Sequence, residues 1–84
     1  MRPWQLVFHE QSASYLRSLR GTKLRQLMVA LDRLKEHPFD PPDAVGKSIS
    51  QRPFDKRFVG GLEISYWIDF LEKEIRVVEI GQRQ

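Results

Sequence analysis

The sequence contains no cysteine, and that absence removes disulfide frameworks, cysteine-based zinc sites and thiol nucleophiles together. Only two histidines occur, His9 and His37, isolated from one another, so neither a metal site nor a bound cofactor is expected. No apolar run approaches the roughly 20 residues that cross a bilayer, and no signal-peptide pattern opens the chain. A cytoplasmic protein with no membrane contact is the expectation. Internal repeats and low-complexity tracts are lacking. What is present is ordinary for a folded domain: 40% hydrophobic and 30% charged residues leave no case for disorder. Eighty-four residues supply one core and not two, so a single domain covering 1–84 is expected.

The formal charge is +3 and the isoelectric point is near 9.6. A solvated basic surface gives so modest a surplus by itself. Its distribution is more informative. Lys47, Arg52, Lys56, Arg57, Arg76 and Arg83 all fall in the second half of the chain, within or beside predicted strands. A sheet face carrying several of them suits a phosphate backbone.

Residues 4–8, WQLVF, have strand composition, with Pro3 suited to a strand's start. From Glu10 the apolar period changes: Ala13, Leu16 and Leu19 recur at three-residue spacing and predict a helix over Glu10 to Arg20. Gly21 is expected to stop that helix and Thr22 to cap the next. Leu24, Leu27, Met28, Leu31 and Leu34 then trace one apolar stripe, and Pro38 ends the second helix. The short connection implies an antiparallel helical hairpin. His9, where strand gives way to helix, reads as a structural or capping residue, and His37 as a loop residue.

Three of the five prolines fall in the loop 37–46. The rest reads as strands: a weak one at Lys47–Ser50, a better one at Phe54–Val59, and two strong ones at Leu62–Leu71 and Ile75–Ile80. The polar residues 72–74 supply the turn between the last two. The expected fold class is α+β, in the order β-α-α-β-β-β: a small antiparallel sheet with an N-terminal strand and the helical hairpin packed on one face. If Leu62, Ile64, Tyr66 and Ile68 face the helices, then Glu63, Ser65, Trp67 and Asp69 face away. That second face has no element left to cover it. It is read as the working face, with Trp67 exposed on it; the plain alternative is a solvated face in which Trp67 packs against Arg or Lys stems.

The segments LDRLKEHP at 31–38, GKSI at 46–49, KRFVGGLEISYWID at 56–69 and IGQR at 80–83 resemble, in order and spacing, the RelE/ParE superfamily of bacterial toxins. These are the toxin halves of type II toxin–antitoxin pairs. Gly60, Ile64, Tyr66, Ile68, Asp69, Ile80, Gly81 and Arg83 stand where the family pattern wants them, and Lys56 fits its basic position. Two positions depart: Glu63 replaces the family's strand arginine, and Gln82 the histidine of Gly–His–Arg. The sequence given ends at Gln84, short of the tail that in RNA-cleaving members often supplies a tyrosine or another reactive group.

The resemblance implies a RelE-like toxin that inhibits translation by ribosome-dependent mRNA cleavage, a metal-free attack of a ribose 2′-hydroxyl on the neighbouring phosphate. Arg83, Arg57 and Glu63 are then the candidate catalytic residues. Lys47, Arg52, Lys56, Arg57, Trp67 and Arg83 are the candidates for holding RNA. Glu63 cannot hold phosphate; an ion pair with Arg57 or Arg83 is its expected role, a general base the alternative. Implied partners are a cognate antitoxin and mRNA on the ribosome, with the free toxin monomeric and heteromeric once bound to antitoxin. Two other readings stay open: a ParE-like toxin of DNA gyrase, and a non-catalytic relative that only binds antitoxin.

Overall fold

Leu62, Ile64 and Tyr66 alternate along one strand and meet Ile75, Val77 and Ile80 of its neighbour. Against this floor lie Leu27, Leu31 and Leu34 of a helix, and all nine side chains are at most 2% exposed. The computed structural model describes residues 3–47 and 53–83. The elements are β1 (Gln5–Phe8), α1 (Glu10–Ser18), α2 (Gly21–Glu36), β2 (Ala44–Lys47), β3 (Pro53–Val59), β4 (Leu62–Asp69) and β5 (Glu74–Gln82). They form a five-stranded sheet in the order β1-β5-β4-β3-β2. The strands β2 to β5 make the expected antiparallel meander, and β1 joins its far edge parallel to β5. Among the described residues no helix is long and apolar enough to cross a membrane.

Several boundaries shift, each for a visible reason. Helix α1 stops at Ser18 rather than Arg20, because Leu19 is already extended and the Arg20 guanidinium donates to the carbonyls of Arg17 (2.7 Å) and Leu19 (2.8 Å). Gly21 opens α2 instead of stopping α1: its φ of +64° is free to glycine, and Thr22 lies inside the helix rather than capping it. The His9 side chain caps nothing, although its backbone N–H reaches the Val77 carbonyl at 3.0 Å. Strand β2 lies at Ala44–Lys47, beginning earlier than the expected Lys47–Ser50, because the pairing with β3 already starts at Ala44 opposite Lys56. Residues 48–50 of the expected strand lie outside the described residues. The β4–β5 turn takes residues 70–73, with Lys73 at a φ of +54°, so Glu74 belongs to β5.

Two local devices position the strand ends. Gly60 and Gly61, both at positive φ, make the two-residue turn between Val59 and Leu62. The turn is tied to α2, where the Lys23 ammonium donates to the Gly60 carbonyl at 2.6 Å. The second device is a bulge in β5. Ser65 faces Glu79 but Tyr66 faces Val77, so Val78 is an extra residue on that side. Strict alternation from Ile75 would bury Glu79; the bulge instead buries both Val77 and Ile80. Side chains of α1 satisfy the backbone groups freed beside it. Ser12 Oγ donates to the Val77 carbonyl at 2.7 Å, and the Gln11 amide both donates to and accepts from the backbone of Ile80 at 2.9 Å.

Candidate functional site

Strand alternation and the register together assign the sheet face away from the helices. It carries Phe54, Lys56 and Phe58 of β3, Glu63, Ser65, Trp67 and Asp69 of β4, and Glu74, Arg76, Glu79 and Gly81 of β5. Arg83 follows the end of β5 on the same side. Its backbone N–H donates to the Gly61 carbonyl at 2.8 Å, which continues the ladder by one rung. Glu63 lies directly across from Gly81, two residues before Arg83, so the register brings Glu63 and Arg83 to one end of the sheet.

The partner of Glu63 differs from expectation. Its Oε1 forms an ion pair with Lys56 Nζ, and neither Arg57 nor Arg83 pairs with it. Lys56 is opposite Ser65 and Glu63 opposite Phe58, so the two charges are diagonal neighbours on one face. Both side chains are about a quarter exposed, 27% and 23%. Arg57 is excluded by parity. It points to the helix side, where its Nη2 donates to the Asp40 carbonyl at 2.8 Å. There it lies close to Tyr66, whose phenol burial pushes above its ordinary 10.0, with the Arg57 charge opposing the shift. Tyr66 Oη and Arg57 Nε are both buried without a hydrogen bond of ordinary geometry.

Arg83 lies over a ring instead of beside a carboxylate, its Cζ 3.9 Å from the centroid of Phe58. On the other side of Lys56 stands Phe54, with the ammonium 5.7 Å from its ring centroid. Gly46 of β2 is opposite Phe54, and a Cβ there would come within 2.9 Å of the Lys56 stem and 3.1 Å of the Phe54 ring. The absent side chain is what lets both lie across the edge strand.

Farther along the same face, Arg76 is held by Glu74 (2.8 Å) and Asp69 (3.6 Å) and lies 5.6 Å from the Trp67 centroid. Trp67 is therefore half-buried under a basic side chain rather than exposed. This half of the face is a closed network of opposite charges.

Of the expected site residues, then, the structure brings together Lys56, Glu63 and Arg83. It places Arg57 and Lys47 on the helix side, Lys47 exposed at the sheet edge, and it sets Trp67 in the Arg76 network. Arg52 lies outside the described residues. Phe54, Phe58 and Gly46 went unnoticed in the sequence, although period-2 alternation through PFDKRF puts Phe54, Lys56 and Phe58 on one face. On the helix side, a groove of about 270 Å³ runs between α2 and β3, lined by Val29, Ala30, Leu34 and Val59 together with Arg33, Arg57 and Asp43. Among the described residues no group of three or more acidic or histidine side chains is placed to hold a metal ion.

No protein-family model matches the sequence, and no curated protein matches it. The fold does match solved structures. The isolated RelE toxin of E. coli superposes with a TM-score of 0.76 at 22% identity, covering 96% of this chain and 85% of that one. The archaeal RelE–RelB complex from Pyrococcus horikoshii OT3 gives 0.75 at 17% identity, covering 98% and 97%. The RelBE2 toxin–antitoxin complex of Mycobacterium tuberculosis gives 0.72 at 15%, covering 98% and 100%. The chain has the RelE fold over nearly its whole length.

Proposed function

We propose that this chain, built on the RelE fold, is the toxin half of a toxin–antitoxin pair and stops translation by acting on mRNA in the ribosome. The observation that carries the reading is the convergence of Lys56, Glu63 and Arg83 at one end of the uncovered sheet face. Arg83 supplies a cation for the charge that develops on a phosphoryl group, and Lys56 a second one when Glu63 releases it. In a metal-independent cleavage, the ribose 2′-hydroxyl attacks the adjacent phosphate, the bond from phosphorus to the 5′-oxygen breaks, and that leaving oxygen takes a proton from solvent water. Glu63 is the carboxylate paired with Lys56 and facing the strand end that leads to Arg83, so it is also the group placed to accept the hydroxyl proton.

The same carboxylate makes the chemistry weak. A unit charge about 5 Å from a phosphate is worth roughly 3 kcal/mol at an effective dielectric near 20, and an anion in a cation's place costs roughly twice that before screening. Binding without efficient cleavage is therefore the second reading, and the Lys56–Glu63 pair is what favours it. A gyrase-directed, ParE-like action is disfavoured by the nine residues of α1, short for that branch.

The proposed protein partner is an antitoxin, as in the RelE–RelB complexes. The α2–β3 groove, apolar with Arg33 and Arg57 outnumbering Asp43 beside it, suits an acidic amphipathic segment that folds on contact. The decisive experiment is induced expression. Translation should stop within minutes while DNA supercoiling stays normal, and primer extension on ribosome-bound message should show cuts. DNA damage appearing first would favour the gyrase reading, and neither effect at confirmed expression would leave antitoxin binding alone.

A further inference from the structure

We infer that β3 carries a base-stacking platform for single-stranded RNA, made of the Phe54 ring and of the Arg83 guanidinium seated on Phe58, with Lys56 between them for the backbone. The inference rests on the reading of this chain as RNA-directed and names how that RNA is held. Phe54, Lys56 and Phe58 occupy alternate positions of one strand and share the uncovered face. At the strand's rise per residue, Phe54 and Phe58 are about 13 Å apart, with Lys56 midway.

Each ring has a cation beside it. Lys56 Nζ is 5.7 Å from the centre of Phe54, and Arg83 Cζ is 3.9 Å from the centre of Phe58. At the shorter distance the guanidinium is in van der Waals contact with the ring. Arg83 is exposed, so its other planar surface is turned to solvent. A guanidinium plane backed by an aromatic ring is a surface on which a nucleobase stacks. Phe58 is thus a positioning residue that holds Arg83 flat, and Phe54 offers a second stacking surface. Gly46 belongs to the same construction, since any Cβ there would press on both Lys56 and Phe54.

The chemistry of the stripe selects its occupant. Flat apolar surfaces and cations alternate along one strand, and each nucleotide of an unpaired RNA brings one base and one phosphate. A duplex would hide its base faces and use only the cations. An acidic peptide would likewise leave the ring surfaces uncovered.

The test compares two polyanions by fluorescence anisotropy on the purified chain: a short unstructured RNA, and inorganic polyphosphate, which has charge but no bases. Phe54→Leu and Phe58→Leu keep apolar volume and remove the planes. Each should weaken RNA binding by roughly 5- to 150-fold, the range for one stacked base, and leave polyphosphate binding unchanged. Arg83→Lys keeps the charge and loses the plane, and should behave the same way; being exposed, it decides the matter alone if a leucine variant fails to fold. Three results overturn the inference: RNA affinity unchanged in Arg83→Lys, RNA and polyphosphate affinity falling together in folded variants, or no preference of the native chain for RNA. If the variants behave as expected but induction leaves translation intact, the toxin reading fails and the platform stands.

Discussion

Lys56 and Glu63 face the same side of the sheet, two residues off direct opposition, and their ion pair closes across the β3–β4 ladder. The cation proposed to meet phosphate is thereby partly neutralised by an anion of the same chain.

Substituting Glu63 should therefore release Lys56. Glu63→Gln should leave RNA affinity equal or slightly higher, and Glu63→Arg should raise it further and steepen its fall with salt by about one phosphate contact. Titrations of RNA at several salt concentrations measure both. If Glu63 also accepts the 2′-hydroxyl proton, Glu63→Gln should lower cleavage of ribosome-bound message by at least about a hundredfold while binding survives.

Arg57 and Arg83 should separate by assay. Arg83→Ala should weaken RNA binding in every background. Arg57→Ala should leave RNA binding as it was but cost roughly 1–3 kcal/mol of stability in urea unfolding, because a charged hydrogen bond to the Asp40 carbonyl is lost on the helix side.

Tyr66 predicts a dependence on alkaline pH. Burial raises its folded-state pKa above 10.0, so the neutral phenol contributes stability that is fully present below pH 10.0 and lost as pH rises through the folded value. Thermal melts should fall in that window, and Tyr66→Phe should remove that part of the fall. Near neutral pH the same variant should cost little, since the hydroxyl it deletes is buried with no hydrogen bond of ordinary geometry.

Gln11→Leu should destabilise the chain by roughly 1–3 kcal/mol, measured by denaturant unfolding, because the Ile80 N–H and C=O lose their side-chain partner in a part-buried setting.

An antitoxin bound to the native chain should raise its Tm by mass action, with a stabilisation of about 2.7 kcal/mol at a free concentration a hundredfold above Kd. Differential scanning fluorimetry of the pair against the chain alone reads this directly. Absence of any complex on co-expression would remove the toxin–antitoxin reading.

The sequence made the fold class, element order and buried faces legible because helix and strand periods are strong signals in Leu24–Leu34 and Leu62–Ile68. Boundaries were harder to read where a tertiary contact decided them, as where Arg20 caps α1 with its side chain. The site was half legible. Alternation placed Glu63 correctly, but the same alternation applied to DKRFV would have set Arg57 apart from Lys56, and charge alone had grouped them. The partner of Glu63 needed the β3–β4 register, which no local pattern encodes.

One extra residue in β5 reaches farther than the core it protects. Were Val78 an ordinary rung and the alternation unbroken onward from Val77, Gly81 and Arg83 would turn toward the helices and Ile80 and Gln82 toward solvent. The terminal arginine meets Phe58 only because the strand changes phase once, between Val77 and Ile80. A change that straightened β5 while keeping Val78 in the ladder would expose Ile80 and withdraw Arg83 from its face in the same step, whereas loss of Val78 itself would leave both facing as they do. The packing of Ile80 and the facing of Arg83 thus hang on one phase change of the strand, so the two are inherited as one.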